Sequence, residues 1–304
     1  MALALERFSG SEPGPHVLIT GGVHGDEFEP MAAVRYLIAL FRTHPPLRGT
    51  VTLVPVVNEP AFLRGSRVGD DGLDLARTCP GRADGSPTQH IAFELSERIR
   101  TADYYIDLHT GGTRLRVLPL VGYMLHPDPK VLESQRRMAR AFGLPIIWGT
   151  DPNLDGRSLS VARDACVPAI YAEYLGGGGC DPSGVDAYKT GCLRVLADVG
   201  VIADAPVASG ALPIIVEDSR PGSGHMQVNH PSLAEGFFEP VVTLGQPVHE
   251  GQILGTVTDL LGRESRSIHA NSSGLVLVLH TFARVESGTS VAVILPTELA
   301  GDRP

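Results

Sequence analysis

Between residue 15 and about residue 200, short apolar runs alternate with stretches of helical periodicity, and this alternation constrains the fold of the 304-residue chain more than any other feature. The run Val17-Leu18-Ile19-Thr20 precedes a predicted helix from Pro30 to Arg42, and a strand from Val51 to Val57 follows. A helix near His90 to Arg100, strands at 104–108 and 117–121, and a helix from Pro129 to Phe142 continue the series. Strands at 146–148 and 169–172 and a helix from Ser183 to Val199 close it. Such an order predicts an α/β domain with a doubly wound, mostly parallel sheet. In such sheets ligands gather outside the carboxyl ends of the strands. His24, Asn58, His109 and Glu173 each stand just past an apolar run, so one sheet can bring all four to one edge.

After Ala203 the helical periodicity fades and short valine-rich strands separated by glycines take over. The expected division is an α/β domain over residues 1–203 and an all-β domain over 204–304. The segment from Gly236 to Ile294, with Ala270-Asn271-Ser272-Ser273-Gly274, resembles the barrel-sandwich hybrid domains of biotinyl and lipoyl carriers. Those carriers need a modifiable lysine on a hairpin tip, and this segment contains none. It reads instead as a lid, spacer or oligomerisation module.

A net charge of -9 excludes general binding to nucleic acid or to anionic membranes, which calls for clustered Lys and Arg. No apolar run reaches the roughly 18 residues that span a bilayer, and Met1 to Arg7 lacks the basic start and apolar stretch of a secretion signal. The expectation is a cytoplasmic protein acting on a small molecule. Cys79, Cys166, Cys180 and Cys192 show no CxxC spacing and read as free thiols.

The chemistry concentrates in Gly21-Gly22-Val23-His24-Gly25-Asp26-Glu27 and in Asp107-Leu108-His109-Thr110-Gly111-Gly112. Each follows a strand and carries glycines that let backbone approach a ligand. His24, Glu27 and His109 supply two nitrogens and a carboxylate, the ligand set of a catalytic zinc with an open position. The competing reading makes Asp26 and Glu27 mere caps of the following helix. Asp107 points to the same side of its strand as His109 and can fix the imidazole tautomer. Glu173 ends an apolar strand before four glycines, so partial desolvation raises its pKa toward that of a general base. A salt-bridged rim position is its bland alternative. Between Asn58 and Arg77 a polar loop carries Arg64, Arg67 and Arg77, which can clamp a carboxylate or stabilise an oxyanion.

These motifs, taken in order, resemble the succinylglutamate desuccinylase and aspartoacylase family. The matching elements are Gly-Gly-x-His-Gly-x-Glu, Asn-x-Pro-Ala followed by Arg, Asp-Leu-x-Arg, Asp-Leu-His-x-Gly and the late strand Glu. The resemblance spans residues 15 to 200 and implies the zinc carboxypeptidase-like α/β fold. It further implies one zinc per chain held by His24, Glu27 and His109, with Glu173 as general acid/base. Arg67, nine residues after Asn58, would be the oxyanion arginine and Arg77 the carboxylate binder, with Asn58 and Arg64 as further substrate-facing candidates. One departure is Ala76, where the family usually has Asn in Asp-Leu-Asn-Arg. Loss of a hydrogen bond to a charged group costs about 1.5 to 3 kcal/mol, enough to change substrate preference. A related bacterial branch that deacetylates N-acetyldiaminobutyrate fits as well as the desuccinylases do.

The resulting expectation is a zinc-dependent hydrolase that removes an acyl group from an N-acyl amino acid or a similar small amide, in a chain able to form homo-oligomers. The alternatives are a metallocarboxypeptidase acting on a peptide or peptidoglycan stem, and a non-enzymatic metal-binding protein.

Overall fold

The computed structural model describes residues 3–207 and 212–296. Among these, the α/β part contains strands β1 (Glu6–Ser9), β2 (Glu12–Thr20), β3 (Arg48–Val54), β4 (Tyr104–His109), β5 (Leu115–Met124), β6 (Ile146–Thr150), β7 (Ala169–Gly176) and β8 (Ile214–Glu217). Its helices are α1 (Phe28–Thr43), α2 (Glu59–Arg64), α3 (Pro87–Arg100), α4 (Pro129–Phe142), α5 (Ser158–Asp164) and α6 (Pro182–Asp198). The strands lie in the order β1-β3-β2-β4-β7-β5, with β6 on the far edge of β5 and β8 beside β6.

Within the α/β part the sheet is mostly parallel, as expected, but mixed: β1 pairs antiparallel with β3, and β5 with β7. Strands β3, β2, β4 and β7 are mutually parallel, whereas β5 runs antiparallel to β7. Connection length explains the reversal. A parallel crossover needs a dozen residues or more, and only residues 110–114 separate β4 from β5.

Alternate strand residues enter different helical layers. Val17 and Ile19 of β2, with Ile106 and Leu108 of β4, pack with Leu37, Phe41, Phe142, Tyr188 and Val195 of α1, α4 and α6. Leu18 and Tyr105 face the other way, onto Ile91, Leu95 and Ile99 of α3 and Leu159 and Ala162 of α5. Burial on both faces accounts for strands that read as continuous apolar runs.

The C-terminal region adds β9 (Gly236–Pro240), β10 (Pro247–Val248), β11 (Ile253–Thr258), β12 (Ser265–His269), β13 (Gly274–His280), β14 (Arg284–Val285) and β15 (Ala292–Leu295). Four of these form a second sheet in the order β12-β11-β9-β14. Strand β13 instead pairs with β5 through Val278 opposite Val117, and β10 and β15 pair with β13. The main sheet therefore continues into the C-terminal region, which also has a core of its own around Phe238, Leu254, Ile268 and Val276. Strand β8, although past residue 203, belongs to the main sheet. Among the described residues no helix is long and apolar enough to cross a membrane.

Register sets the level of the site. Thr20 stands opposite Asp107, and His109 opposite Glu173, so the carboxyl ends of β2, β4 and β7 finish together. The chain path from β2 leads to β3 on one side and later to β4 on the other, the crevice where open α/β sheets bind ligands.

Candidate metal centre and active site

After β2 the chain turns through Gly22 in the left-handed region (φ +67) and packs Gly25 against the start of α2. A Cβ on Gly25 would lie 2.0 Å from the Ala61 carbonyl carbon, so only glycine allows this approach. The loop delivers His24 and Glu27 into the interior, where both are buried. Glu27 occupies the N-cap position of α1 but makes no capping hydrogen bond. Its carboxylate instead receives both imidazoles, with His24 Nδ1 2.7 Å from Oε1 and His109 Nδ1 3.0 Å from Oε2. Asp26 is likewise committed elsewhere, accepting from the Thr113 N–H and hydroxyl at 2.8 and 2.9 Å.

Each ring is anchored from behind by another carboxylate. His24 Nε2 lies 3.1 Å from Asp74 Oδ1, and His109 Nε2 lies 3.2 Å from Asp107 Oδ2. Asp107 is fully buried and accepts from Thr20 Oγ1 at 2.8 Å and from the Ser158 hydroxyl. With both Nε2 atoms committed, the two Nδ1 edges and Glu27 converge, and their donor atoms all lie within 4.8 Å of one another. Burial would raise the Glu27 pKa, yet the His24 and His109 imidazoles hold it well below the usual carboxylate range. Burial opposes charge on His109 too, but Asp107 and Glu27 push its pKa well above the ordinary value. Ring edges facing a shared carboxylate require a cation between them, either protons or a metal. Two imidazoles and one carboxylate, each imidazole backed by a second carboxylate, fit a divalent zinc.

Glu173 ends the buried part of β7 and lines the same cavity as the His24, Glu27 and His109 cluster. Burial, with Glu27 adding to it against the pull of His109, lifts its carboxyl to about 7. Its Oε2 is buried with no hydrogen-bond partner among the described residues. That combination leaves a carboxyl able to exchange a proton near neutrality.

The cavity, open on one side, offers about 100 Å³ and is also lined by Arg67 and Arg77. Arg67 donates Nε and Nη2 to Asp74 Oδ2 at 3.2 and 3.0 Å, and its Nη1 stands 3.8 Å from Glu27 Oε1. Two other expected residues are not part of the lining. Arg64 is half exposed and pairs with the exposed Asp70, while Asn58 is buried as the cap of α2, its Oδ1 accepting from the Ala61 N–H at 3.3 Å.

Three polar residues of the site escaped the sequence reading. Asp74 joins His24 to Arg67, and its presence in the Asp-Leu-x-Arg motif was the available signal. Arg157 and Gln227 line the cavity from the start of α5 and from the connection between β8 and β9. No local pattern marks either one.

Residues 13–199 match the succinylglutamate desuccinylase/aspartoacylase catalytic domain. The chain belongs to the succinylglutamate desuccinylase/aspartoacylase family. Among its relatives is the N-alpha-acetyl-L-2,4-diaminobutyric acid deacetylase of Halomonas elongata, 32% identical over 292 residues, which cover 92% of this chain and 82% of the relative. A succinylglutamate desuccinylase from Silicibacter sp. TM1040 superposes with a TM-score of 0.85 at 25% identity, covering 96% of this chain and 88% of its own. A product-bound ectoine utilization protein from Ruegeria pomeroyi gives a TM-score of 0.84 at 28% identity, covering 95% and 87%.

Proposed function

We propose that this chain is a zinc-dependent deacylase that hydrolyses the amide of a small N-acyl amino acid, with an N-acetyl or N-succinyl group as the acyl part. The observation that carries the reading is the convergence of His24, Glu27 and His109 beside a buried, unpartnered Glu173 in one small cavity. His24, Glu27 and His109 would hold the metal. Bound there, zinc supplies Lewis acidity, which polarises a carbonyl and makes water a usable acid near neutral pH.

The chain's own groups account for the rest. Glu173, poised at about 7, takes a proton from the attacking water and returns it to the departing amine nitrogen. Arg67, held by Asp74 with Nη1 beside Glu27, is placed to stabilise negative charge that develops on the amide oxygen. Arg77, in the cavity wall, binds the substrate carboxylate. Asp74 and Asp107 hold the two rings with Nδ1 directed inward.

The test is release of amine from a panel of N-acetyl, N-succinyl and N-formyl amino acids, together with elemental analysis of the purified protein. The expectation is one zinc per chain and turnover that disappears with chelator. Full activity in chelator without any stoichiometric transition metal would overturn the proposal.

A further inference from the structure

Strand β7 sends alternate side chains to opposite faces of the sheet. Ile170 and Ala172 enter the layer of α1, α4 and α6, so Tyr171 and Glu173 share the other face, where both line the cavity. Their partners on β4 are Asp107 and His109. Tyr171 therefore lies one pleat, about 7 Å, deeper in the sheet than Glu173. On its other side stands Gly122 of β5. A Cβ there would come within 2.1 Å of the Tyr171 ring and 2.4 Å of its hydroxyl oxygen, so glycine is what admits the ring over β5.

The protein itself does not use the hydroxyl that this packing places. The hydroxyls of the fully buried Tyr105, Tyr123 and Tyr188 are hydrogen-bonded to Thr20, Glu217 and the His109 carbonyl. That of Tyr171 has no such bond among the described residues. Burial and the nearby Glu173 push its phenol up, against the pull of Arg157, so it keeps its proton. A guanidinium can only donate, which leaves the phenol oxygen to face Arg157 and the O–H to meet whatever fills the cavity. Met124 and Leu159, also in the lining, are apolar and accept nothing. An O–H that loses water on binding without gaining an acceptor disfavours the ligand that covers it.

We propose, resting on the deacylase reading, that Tyr171 is a specificity-determining residue whose hydroxyl donates to a polar side chain on the amine part of the substrate. In that reading Glu173 returns a proton to the departing nitrogen, and Arg77, which feels the charge of Arg157, takes the carboxylate on the same side of the cavity as Tyr171. The amine part thus runs from Glu173 past Tyr171. An oxygen four bonds from the nitrogen, together with a hydrogen bond of about 2.8 Å, spans the one-pleat distance. An apolar side chain of the same size would displace water from the phenol and give no acceptor in return.

The experiment compares N-acetyl-L-homoserine with N-acetyl-L-norvaline, which differ by a hydroxyl against a methyl at the same position. At pH 7.5 the zinc-loaded wild type is expected to show kcat/KM about tenfold higher for the homoserine compound, as one unmet hydrogen bond would give, and a ratio below about fivefold overturns the inference. Tyr171→Phe keeps the ring over Gly122 and removes only the hydroxyl. In that variant, with zinc content and circular dichroism as in wild type, the ratio should fall at least threefold toward unity, and any smaller fall overturns the role of Tyr171. If the zinc-loaded wild type hydrolyses neither compound, the deacylase reading fails for both. Calorimetric binding of the two compounds to wild type and Tyr171→Phe then decides the preference, and equal binding by the wild type overturns it.

Discussion

Replacing Asp107 by Asn keeps the size of the side chain and removes its charge, at a position fully shielded from solvent. The asparagine oxygen can still accept from His109 Nε2, now 3.2 Å from the carboxylate, and from the Ser158 hydroxyl. Its amide can donate to Thr20 Oγ1, at present 2.8 Å away, so the local packing survives. The loss is electrostatic. A hydrogen bond to a charged acceptor contributes about 1.5–3 kcal/mol and a neutral one about 0.5–1.5, so the His109 contact weakens by about 1 to 1.5 kcal/mol. The ring also becomes a poorer donor to a metal once its far nitrogen no longer faces an anion. With a factor of ten for each 1.4 kcal/mol, the combined effect is zinc binding about 10- to 100-fold weaker. Competition against a chromophoric chelator at pH 7.5 measures this directly, with circular dichroism confirming that the fold persists. A folded Asp107→Asn protein whose zinc Kd stays within threefold of wild type would refute the role assigned to Asp107.

Glu173→Gln should retain zinc and fold yet lose about 10²-fold or more in kcat, as expected when a general base is removed, and unchanged turnover would exclude Glu173 from proton transfer. Because that carboxyl sits at about 7, wild-type kcat/KM should rise with pH through about 7, a limb absent from the residual activity of the variant. Its effect on stability has the opposite sign. A carboxyl raised by burial favours the fold fully below its ordinary value of 4.5 and loses that contribution as pH rises through about 7. Metal-free Glu173→Gln should therefore be more stable than wild type at pH 8, by about 1–3 kcal/mol in urea unfolding. Asp71 accepts from Ser86 Oγ, Thr88 N and Thr88 Oγ1, tying the arginine loop to α3, and those bonds lower its carboxyl to about 2 despite the opposing effect of burial. Asp71→Ala should destabilise the protein by about 2 kcal/mol at pH 7, an effect that fades as pH falls below 3.8 toward 2, and equal melting temperatures at pH 7 would contradict it. Arg64→Ala should change kcat/KM less than twofold, because its partner Asp70 lies outside the cavity, and a tenfold loss would return Arg64 to the site.

The strand ends were readable because their positions follow from chain connectivity. An apolar run that stops at Thr20, at His109 or near Glu173 places the next polar side chain at the sheet edge, whatever else the chain does. Asn58 also follows a strand, but its side chain turns back to cap α2. The loop arginines show the limit more sharply. Arg64 and Arg67 are three residues apart in the same polar stretch, yet Arg64 ends α2 and meets Asp70, while Arg67 is drawn inward by Asp74. Which one turns inward depends on an acid seven residues away in sequence and on where the loop folds back. The direction of β5 was not legible, since an apolar run carries no sign of parallel or antiparallel pairing.

From residue types and their order alone came the α/β layering, the candidate metal ligands His24, Glu27 and His109, and the candidate base Glu173, all of which rest on short-range pattern. Only the folded chain decided that Asp74 and Asp107 stand behind the two rings and that β13 extends the sheet from β5. It also decided that Arg157 joins Arg77 across the cavity. The physical reason is distance along the chain. Eighty residues separate Arg77 from Arg157, and no local periodicity reports a contact that Gly156 makes only after the layers have packed.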